Sequence, residues 1–261
     1  MSQAELLIEQ DGAVRTIALN RPETRNGLTP SLCAALGQAV EEASGDDSVR
    51  CVVLTGRGDS FCSGADLSAA MATLAERSHG DVIRDDFHRV IRGLAECPKP
   101  VIASIRGGAV GFGLDIALAC DLRIASRQSK LGAVFTRIGL VPDGGSSFFL
   151  ARLVGLARAL EIVLLAETFD GERAAEIGIV SRVVDDDLLD EETAALAQRL
   201  AAGPPLAYRL AKRNILDGLA GSLDDALARE VAAQVQCLAS ADSMEGVQAF
   251  LQKRKPTFTG R

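Results

Sequence analysis

Lys99 to Ser126 reads KPVIASIRGGAVGFGLDIALACDLRIAS, and its character changes three times. Pro100 to Ile105 is a short continuous apolar run, as a strand buried on both faces requires. Gly107 to Gly113 is a glycine-rich loop, Leu114 to Cys120 a helix, and Leu122 to Ala125 a further strand. Strand, glycine loop, helix, strand is the pattern of stacked β-β-α turns around a mostly parallel sheet.

The same form occurs upstream. Cys51 to Thr55 (CVVLT) reads as a buried strand and is followed by a glycine-rich loop from Gly56 to Ala65. Asp81 to Cys97 is expected to be a regular helix, with Val82, Ile83, Phe87, Val90, Ile91 and Leu94 at helical spacing. Glu5 to Glu9 and Val14 to Asn20 flank Asp11-Gly12, a hairpin signal. Thr29 offers an N-cap and Pro30 a first helical position for a helix to about Ser44. Leu131 to Val134 reads as one more short strand.

From Asp143 onward helical patterns dominate, broken only by Ile177 to Val184. The segments Asp186–Ala202, Pro204–Leu219, Ser222–Ala239 and Asp242–Lys253 read as helices, the last with Asp242 and Glu245 as a capping box. We expect an α/β core over residues 1–195 and a helical C-terminal region over 196–261, packed as one unit.

The chain has 261 residues, 24% of them charged, and a formal net charge of -7, which argues against sequence-independent nucleic-acid binding. The basic run Lys253-Arg254-Lys255 is a local exception. Six scattered cysteines without a CxxC pair point to reduced structural thiols rather than a metal site or disulfide framework. The opening MSQAELLIEQDG has no signal-peptide character, and Arg152, Arg158 and Glu161 interrupt the most apolar stretch, Phe148 to Ala166. A cytoplasmic protein that does not enter membranes is expected.

Two loops could carry chemistry, Phe61-Cys62-Ser63-Gly64-Ala65-Asp66-Leu67 and Gly107 to Asp115. Glycine lets a peptide N–H turn into a cavity, and a helix N-terminus favours an oxygen carrying negative charge. Two such loops meeting across a pocket form an oxyanion hole; packing glycines in tight βα turns give the same pattern.

Several stretches, in order, resemble the crotonase (enoyl-CoA hydratase/isomerase) superfamily. They are Asn20-Arg21-Pro22-Glu23 with Asn26, FCSGADL (61–67), the 99–126 segment, IGLVPDGG (138–145) and FLQKRKPTF (250–258). The resemblance implies an α/β spiral of ββα units with C-terminal trimerisation helices, assembled as a homotrimer or a dimer of trimers. It implies an acyl-CoA substrate, no separate cofactor and no metal. It places the oxyanion N–H groups at Ala65 and Phe112, and the CoA path along Arg25, Ser63, Asp66 and Leu67. Phe250 and Lys253 resemble tail residues that reach a neighbouring subunit's CoA. Arg25 and Lys253 suit the phosphates of CoA; Asp66 reads equally as a helix cap.

Hydratases of this family use two glutamates. Their positions fall on Asp115, a shorter carboxylate, and on Phe135, which cannot move a proton. Asp143, in Val141-Pro142-Asp143-Gly144-Gly145, falls where isomerases of the family place an acid. Shifting a double bond from β,γ to α,β needs one such base, and crowding by Phe112, Phe135 and Phe148 would raise its pKa. A double-bond isomerase using Asp143 is therefore favoured. The alternatives are a hydratase using Asp115, an aryl-CoA isomerase or dehalogenase-like enzyme using Asp143, and a non-catalytic acyl-CoA binder. His88 lies near the position of a dehalogenase histidine, although on an amphipathic helix it reads first as a packing or surface residue.

Overall fold

The computed structural model describes residues 4–73 and 77–261. Its main sheet has the order β1-β2-β3-β4-β6-β9, comprising β1 (Leu6–Asp11), β2 (Val14–Leu19), β3 (Cys51–Gly56), β4 (Val101–Ile105), β6 (Leu122–Ser126) and β9 (Arg182–Val184). β1 and β2 form the hairpin signalled by Asp11-Gly12, with Gly12 at φ +55°; every other neighbouring pair is parallel.

Both faces of this sheet are covered, which explains its continuous apolar strands. Successive side chains of a strand point to opposite faces. Val52, Leu54, Val101, Ala103 and Ile105 join the large core beneath helices α1 (Pro30–Gly45), α4 (His88–Glu96) and α5 (Phe112–Ala119). Cys51, Val53 and Ile102 face the other way and pack with Leu189, Leu196, Ala197 and Ala201 of α9 (Leu189–Ala201). On that face Ser104 bonds Thr193 of α9 at 2.9 Å.

A second sheet, of order β5-β7-β8, is built from β5 (Gly108–Val110), β7 (Lys130–Gly132) and β8 (Phe169–Asp170). β5 lies inside the expected glycine loop, and Val134 belongs to a 3₁₀ turn over Val134–Ile138 rather than to β7. Each turn of chain thus gives one strand to each sheet: β4 then β5, β6 then β7. The chain changes sheets at Gly107, whose φ is +59° and whose missing Cβ leaves room for the Asp59 carbonyl. This is the expected spiral of ββα units.

The helical expectations hold to within a few residues, with instructive exceptions. Thr29 Oγ1 accepts from Leu32 N at 3.1 Å, capping α1 as read. The helix expected over Asp81–Cys97 is not regular: α3 (His79–Val82) and α4 enclose a π-turn over Ile83–Phe87. The C-terminal helices are α10 (Pro205–Gly218), α11 (Leu223–Leu238) and α12 (Ala241–Leu251). Ser240, not Asp242, caps α12, accepting from Ser243 N at 3.1 Å. Asp242 is buried and receives the Thr259 and Gly260 amides, while Glu245 binds Arg254 and the Thr257 amide. A true capping box occurs one helix earlier, between Ser222 and Asp225.

Residues 195 and 196 both lie inside α9, which closes the outer face of the sheet. α10 is tied back to the core by Lys212, whose Nζ lies 2.8 Å from Asp121 Oδ1. The six cysteines are free, five of them buried. Among the described residues no helix is long and apolar enough to cross a membrane, and none of the His, Cys, Asp and Glu groupings could hold a metal.

Candidate active site

The two glycine loops do meet. Cys62 N donates to Gly108 O at 2.8 Å and Val110 N to Cys62 O at 3.1 Å, so the first loop lies as a strand beside β5. Gly113 closes the contact, because the Cys62 carbonyl occupies the space a Cβ would need. Gly64, at φ +94°, faces the second loop; a Cβ there would lie 2.9 Å from Val110 O and 3.4 Å from Phe112 N.

The orientation of two backbone amides follows from this packing. Leu28 bridges to the first loop through Gly64 O (2.8 Å) and Asp66 N (2.9 Å). In a strand, alternate peptide groups point to opposite edges, so the Ala65 N–H is turned away from Leu28. Phe112 is the first residue of α5, where the N–H has no partner within the helix. Gly111 before it has φ +55° and ψ -129°, and Gly111 O already accepts from Leu114 N and Asp115 N. The Phe112 N–H, on the opposite side of that peptide, therefore points out of the helix beside Gly64. Two amides from different loops can converge on one oxygen, the requirement for stabilising an oxyanion.

The turn carrying Asp143 sits directly above α5. Gly144 N donates to Asp115 Oδ2 at 3.1 Å, and Ser146 Oγ donates to Asp115 Oδ1. Gly144 is pressed so closely that a Cβ would fall 2.5 Å from Asp115 Oδ2 and 2.6 Å from Phe112 Cε2. Gly145 then takes φ +96° and starts α6 (Ser146–Val154). Asp143 is half-buried, and that burial raises its pKa above the usual carboxylate range, partly offset by His88.

Of the aromatic residues expected to crowd Asp143, Phe112 lies against its turn and Phe148 does not. Phe112 is buried and meets Phe87 edge-to-face at 4.8 Å, and Phe135 is buried in the same core. Phe148 is instead 49% exposed with the Arg152 guanidinium over its ring, while the next residue, Phe149, lies against Gly145. His88, read first as packing or surface, places Nε2 2.7 Å from the Asp143 carbonyl oxygen. Helical periodicity could not reveal this, because the π-turn shifts the helix face between Val82 and Val90.

Asp115 is completely buried. Burial pushes its pKa up to about 7, opposed by the bonds from Ser146 and Gly144 and reinforced by the charge of Asp143. A folded-state pKa above the unfolded one contributes stability at low pH that is lost as pH rises through about 7. Asparagine can accept from Gly144 N and donate to Ser146 Oγ without ever ionising. The melting temperature of Asp115→Asn relative to the natural chain should therefore rise between pH 5 and pH 8, a trend that scanning calorimetry would register.

The other residues assigned by resemblance divide into two groups. Arg25 is exposed in the left-handed region (φ 54°), and its carbonyl accepts from Ser63 N at 2.9 Å. Ser63 Oγ donates to Thr24 O, fixing Arg25 and Ser63 side by side. Beneath them Asn26, fully buried, accepts from Arg21 N and donates to Arg57 O and Ser60 O. Asp66 caps α2 (Leu67–Thr73) through Ala69 N and pairs with Arg21 at 3.3 Å; both contacts lower its pKa, the amide first. Leu67 is half exposed next to it. Phe250 is 83% exposed at the end of α12, and Lys253 follows at φ 54°. Among the described residues, no hydrogen bond or ion pair joins Phe250 or Lys253 to the Arg25 cluster.

A spiral of ββα turns in which two glycine loops meet is the frame of the crotonase superfamily. The sequence model of the family described as enoyl-CoA hydratase/isomerase matches residues 9–261, and the chain belongs to that family of enzymes. Over 261 residues, the whole of both chains, it is 39% identical to a probable enoyl-CoA hydratase of Rhodobacter capsulatus. It is 37% identical over 258 residues, 98% of each chain, to the 1,2-epoxyphenylacetyl-CoA isomerase of Escherichia coli. Among solved structures, a putative enoyl-CoA hydratase/isomerase from Mycobacterium abscessus superposes with a TM-score of 0.93 at 36% identity, covering 98% of this chain and all of that one.

Proposed function

We propose that the chain shifts a carbon–carbon double bond in an enoyl-CoA, with the thioester oxygen held by the Ala65 and Phe112 amides and Asp143 moving the proton. The observation that carries this reading is the placement of Asp143. It is a half-buried carboxylate on a turn pressed against Phe112, the residue whose amide starts α5. Removing an α-proton leaves negative charge on the thioester oxygen, which two fixed N–H groups stabilise more in the transition state than in the ground state. The same carboxylic acid returns the proton at the γ-carbon. No water, metal or separate cofactor is needed.

Hydration is the competing reaction, and the family includes relatives named for it. It requires a water held between two acid/base groups. Here Asp115 has no exposed surface and both of its oxygens are engaged, while Phe135 stands at the second position. These features favour isomerisation. Aromatic acyl groups are a narrower version of the same proposal, supported by the similarity to the epoxyphenylacetyl-CoA isomerase.

We assign CoA binding to Arg25, Ser63, Asp66 and Leu67. Phe250 and Lys253 would contribute from a neighbouring copy, since α10–α12 carry apolar side chains left exposed in one chain, among them Ile215, Leu216, Leu227 and Val231. The assay offers the purified protein a 3-enoyl-CoA and, separately, a 2-enoyl-CoA. Conjugated-thioester absorbance should grow from the first. Absence of that signal at every chain length, with 3-hydroxyacyl-CoA formed from the second, would assign the enzyme to hydration instead.

A further inference from the structure

The carbonyl of Asp143 and the amide of Gly144 belong to one peptide group, and side chains from two different helices hold its two ends. His88, the first residue of α4, places Nε2 2.7 Å from Asp143 O. A carbonyl oxygen only accepts, so the imidazole donates from Nε2. On the other side Gly144 N donates to Asp115 Oδ2 at 3.1 Å, and Asp115 belongs to α5. A peptide unit is planar, so fixing both its N–H and its C=O fixes the backbone rotation on either side of it. The rotation on the near side sets where the Cα–Cβ bond of Asp143 points.

We propose that His88 and Asp115 together form a clamp on the Asp143–Gly144 peptide, and act as positioning residues for the Asp143 carboxylate. This rests on the proposal that Asp143 moves the proton.

Three further features fit that role. Gly144 lets the clamp close, since a Cβ would fall 2.5 Å from Asp115 Oδ2. Ser146 Oγ donates to the other Asp115 oxygen, so the Asp115 carboxyl cannot turn away from Gly144 without losing a second bond. The π-turn over Ile83–Phe87 ends at His88, whose own N–H donates to Ile83 O five residues back. That wider turn lets neighbouring residues serve the same site: Phe87 meets Phe112, and His88 reaches Asp143. π-turns inserted in α-helices are frequently found at functional sites. Histidine serves here as a hydrogen-bond donor to a backbone carbonyl; it neither attacks the substrate nor removes its proton.

Displacing a catalytic group by about 1 Å can cost on the order of 10²-fold in rate. His88→Leu, which keeps bulk and removes the donor, should lower kcat for 3-enoyl-CoA isomerisation by about 10–100-fold. KM should change little, because no CoA contact is touched. His88→Gln, which restores an N–H at similar reach, should recover most of the loss. Hydrogen–deuterium exchange of the segment 141–146, followed in the same variants, should be faster in His88→Leu and near natural in His88→Gln. In an Asp143→Asn background, adding His88→Leu should cost little more, since the group it positions is gone.

Unchanged exchange in His88→Leu, or a kcat loss equally large in His88→Leu and His88→Gln, would overturn the clamp. An unimpaired kcat with faster exchange would overturn its positioning role. Should Asp143→Asn alone retain full activity, the proton-transfer reading fails, and exchange alone then decides whether the clamp exists.

Discussion

Asp143→Asn should lower kcat for double-bond migration by about 10²–10⁴-fold, the usual contribution of a positioned acid/base group. That corresponds to about 3–5 kcal/mol of lost transition-state stabilisation. Asparagine keeps the shape and the turn but cannot accept a proton, so KM for the CoA thioester should stay within a few-fold. The pH dependence supplies an independent check. As the proposed base, Asp143 works as a carboxylate, so kcat/KM in the natural chain should rise with pH through its pKa. Burial raises that pKa, which moves the acid limb above the usual carboxylate range. The limb should vanish in Asp143→Asn, leaving a low and nearly pH-independent rate. Steady-state kinetics over pH 4–8, with α-proton exchange into deuterated water as a second readout, decides the matter. A variant with more than a tenth of natural activity would remove Asp143 from the mechanism.

Much of this site could be read from residue order, and the part that could not has a common cause. The strand-loop-helix units around Val101–Ile105 and Cys51–Gly56 were legible because burial on both faces leaves a continuous apolar run. The beginnings of α1, α10 and α11 were legible because caps and prolines act locally. Asp143 and Asp115 were visible as acids at particular positions in family-like motifs. Their environments were not. Asp115 is sealed by contacts with Gly144 and Ser146, about thirty residues further on, and His88 reaches across 55 residues. Such pairings depend on how α4, α5 and the 142–146 turn stack, which no local pattern encodes. The Asp242–Glu245 capping box failed for a similar reason. The motif was present, but the C-terminal tail supplied better partners for both carboxylates, and Ser240 took the cap. The π-turn was invisible because the apolar positions of Asp81–Cys97 also fit an unbroken α-helix.

Gly111→Ala is the sharpest probe of the oxyanion amides, because it changes conformation without adding a clash. A Cβ at Gly111 would find only Val134 Cγ2, at 4.0 Å, so there is room for it. At neighbouring Gly113 the Cys62 carbonyl fills the Cβ position, and substitution there would disrupt the loop contact itself. What Gly111 cannot give up is its backbone geometry, φ +55° with ψ -129°, which L-residues rarely adopt. Holding an alanine there costs about 1–3 kcal/mol, and that strain must appear somewhere. If the backbone keeps its shape, the melting temperature falls by roughly 2–10 °C for a chain of this size. If it relaxes, the 111–112 peptide turns, because the ψ of Gly111 sets its plane, and the Phe112 N–H swings away from the proposed oxyanion position. The bonds from Leu114 N and Asp115 N to Gly111 O oppose that rotation only at the first turn of α5, so relaxation is the expected course. Losing one oxyanion donor costs about 10²–10³-fold in kcat. CoA affinity, measured by calorimetry, should remain within a few-fold, since the residues proposed to bind CoA, Arg25, Ser63, Asp66 and Leu67, are untouched. Full turnover together with an unshifted melting temperature would mean that this peptide carries neither strain nor charge, and the Phe112 amide would have to be given up as a donor.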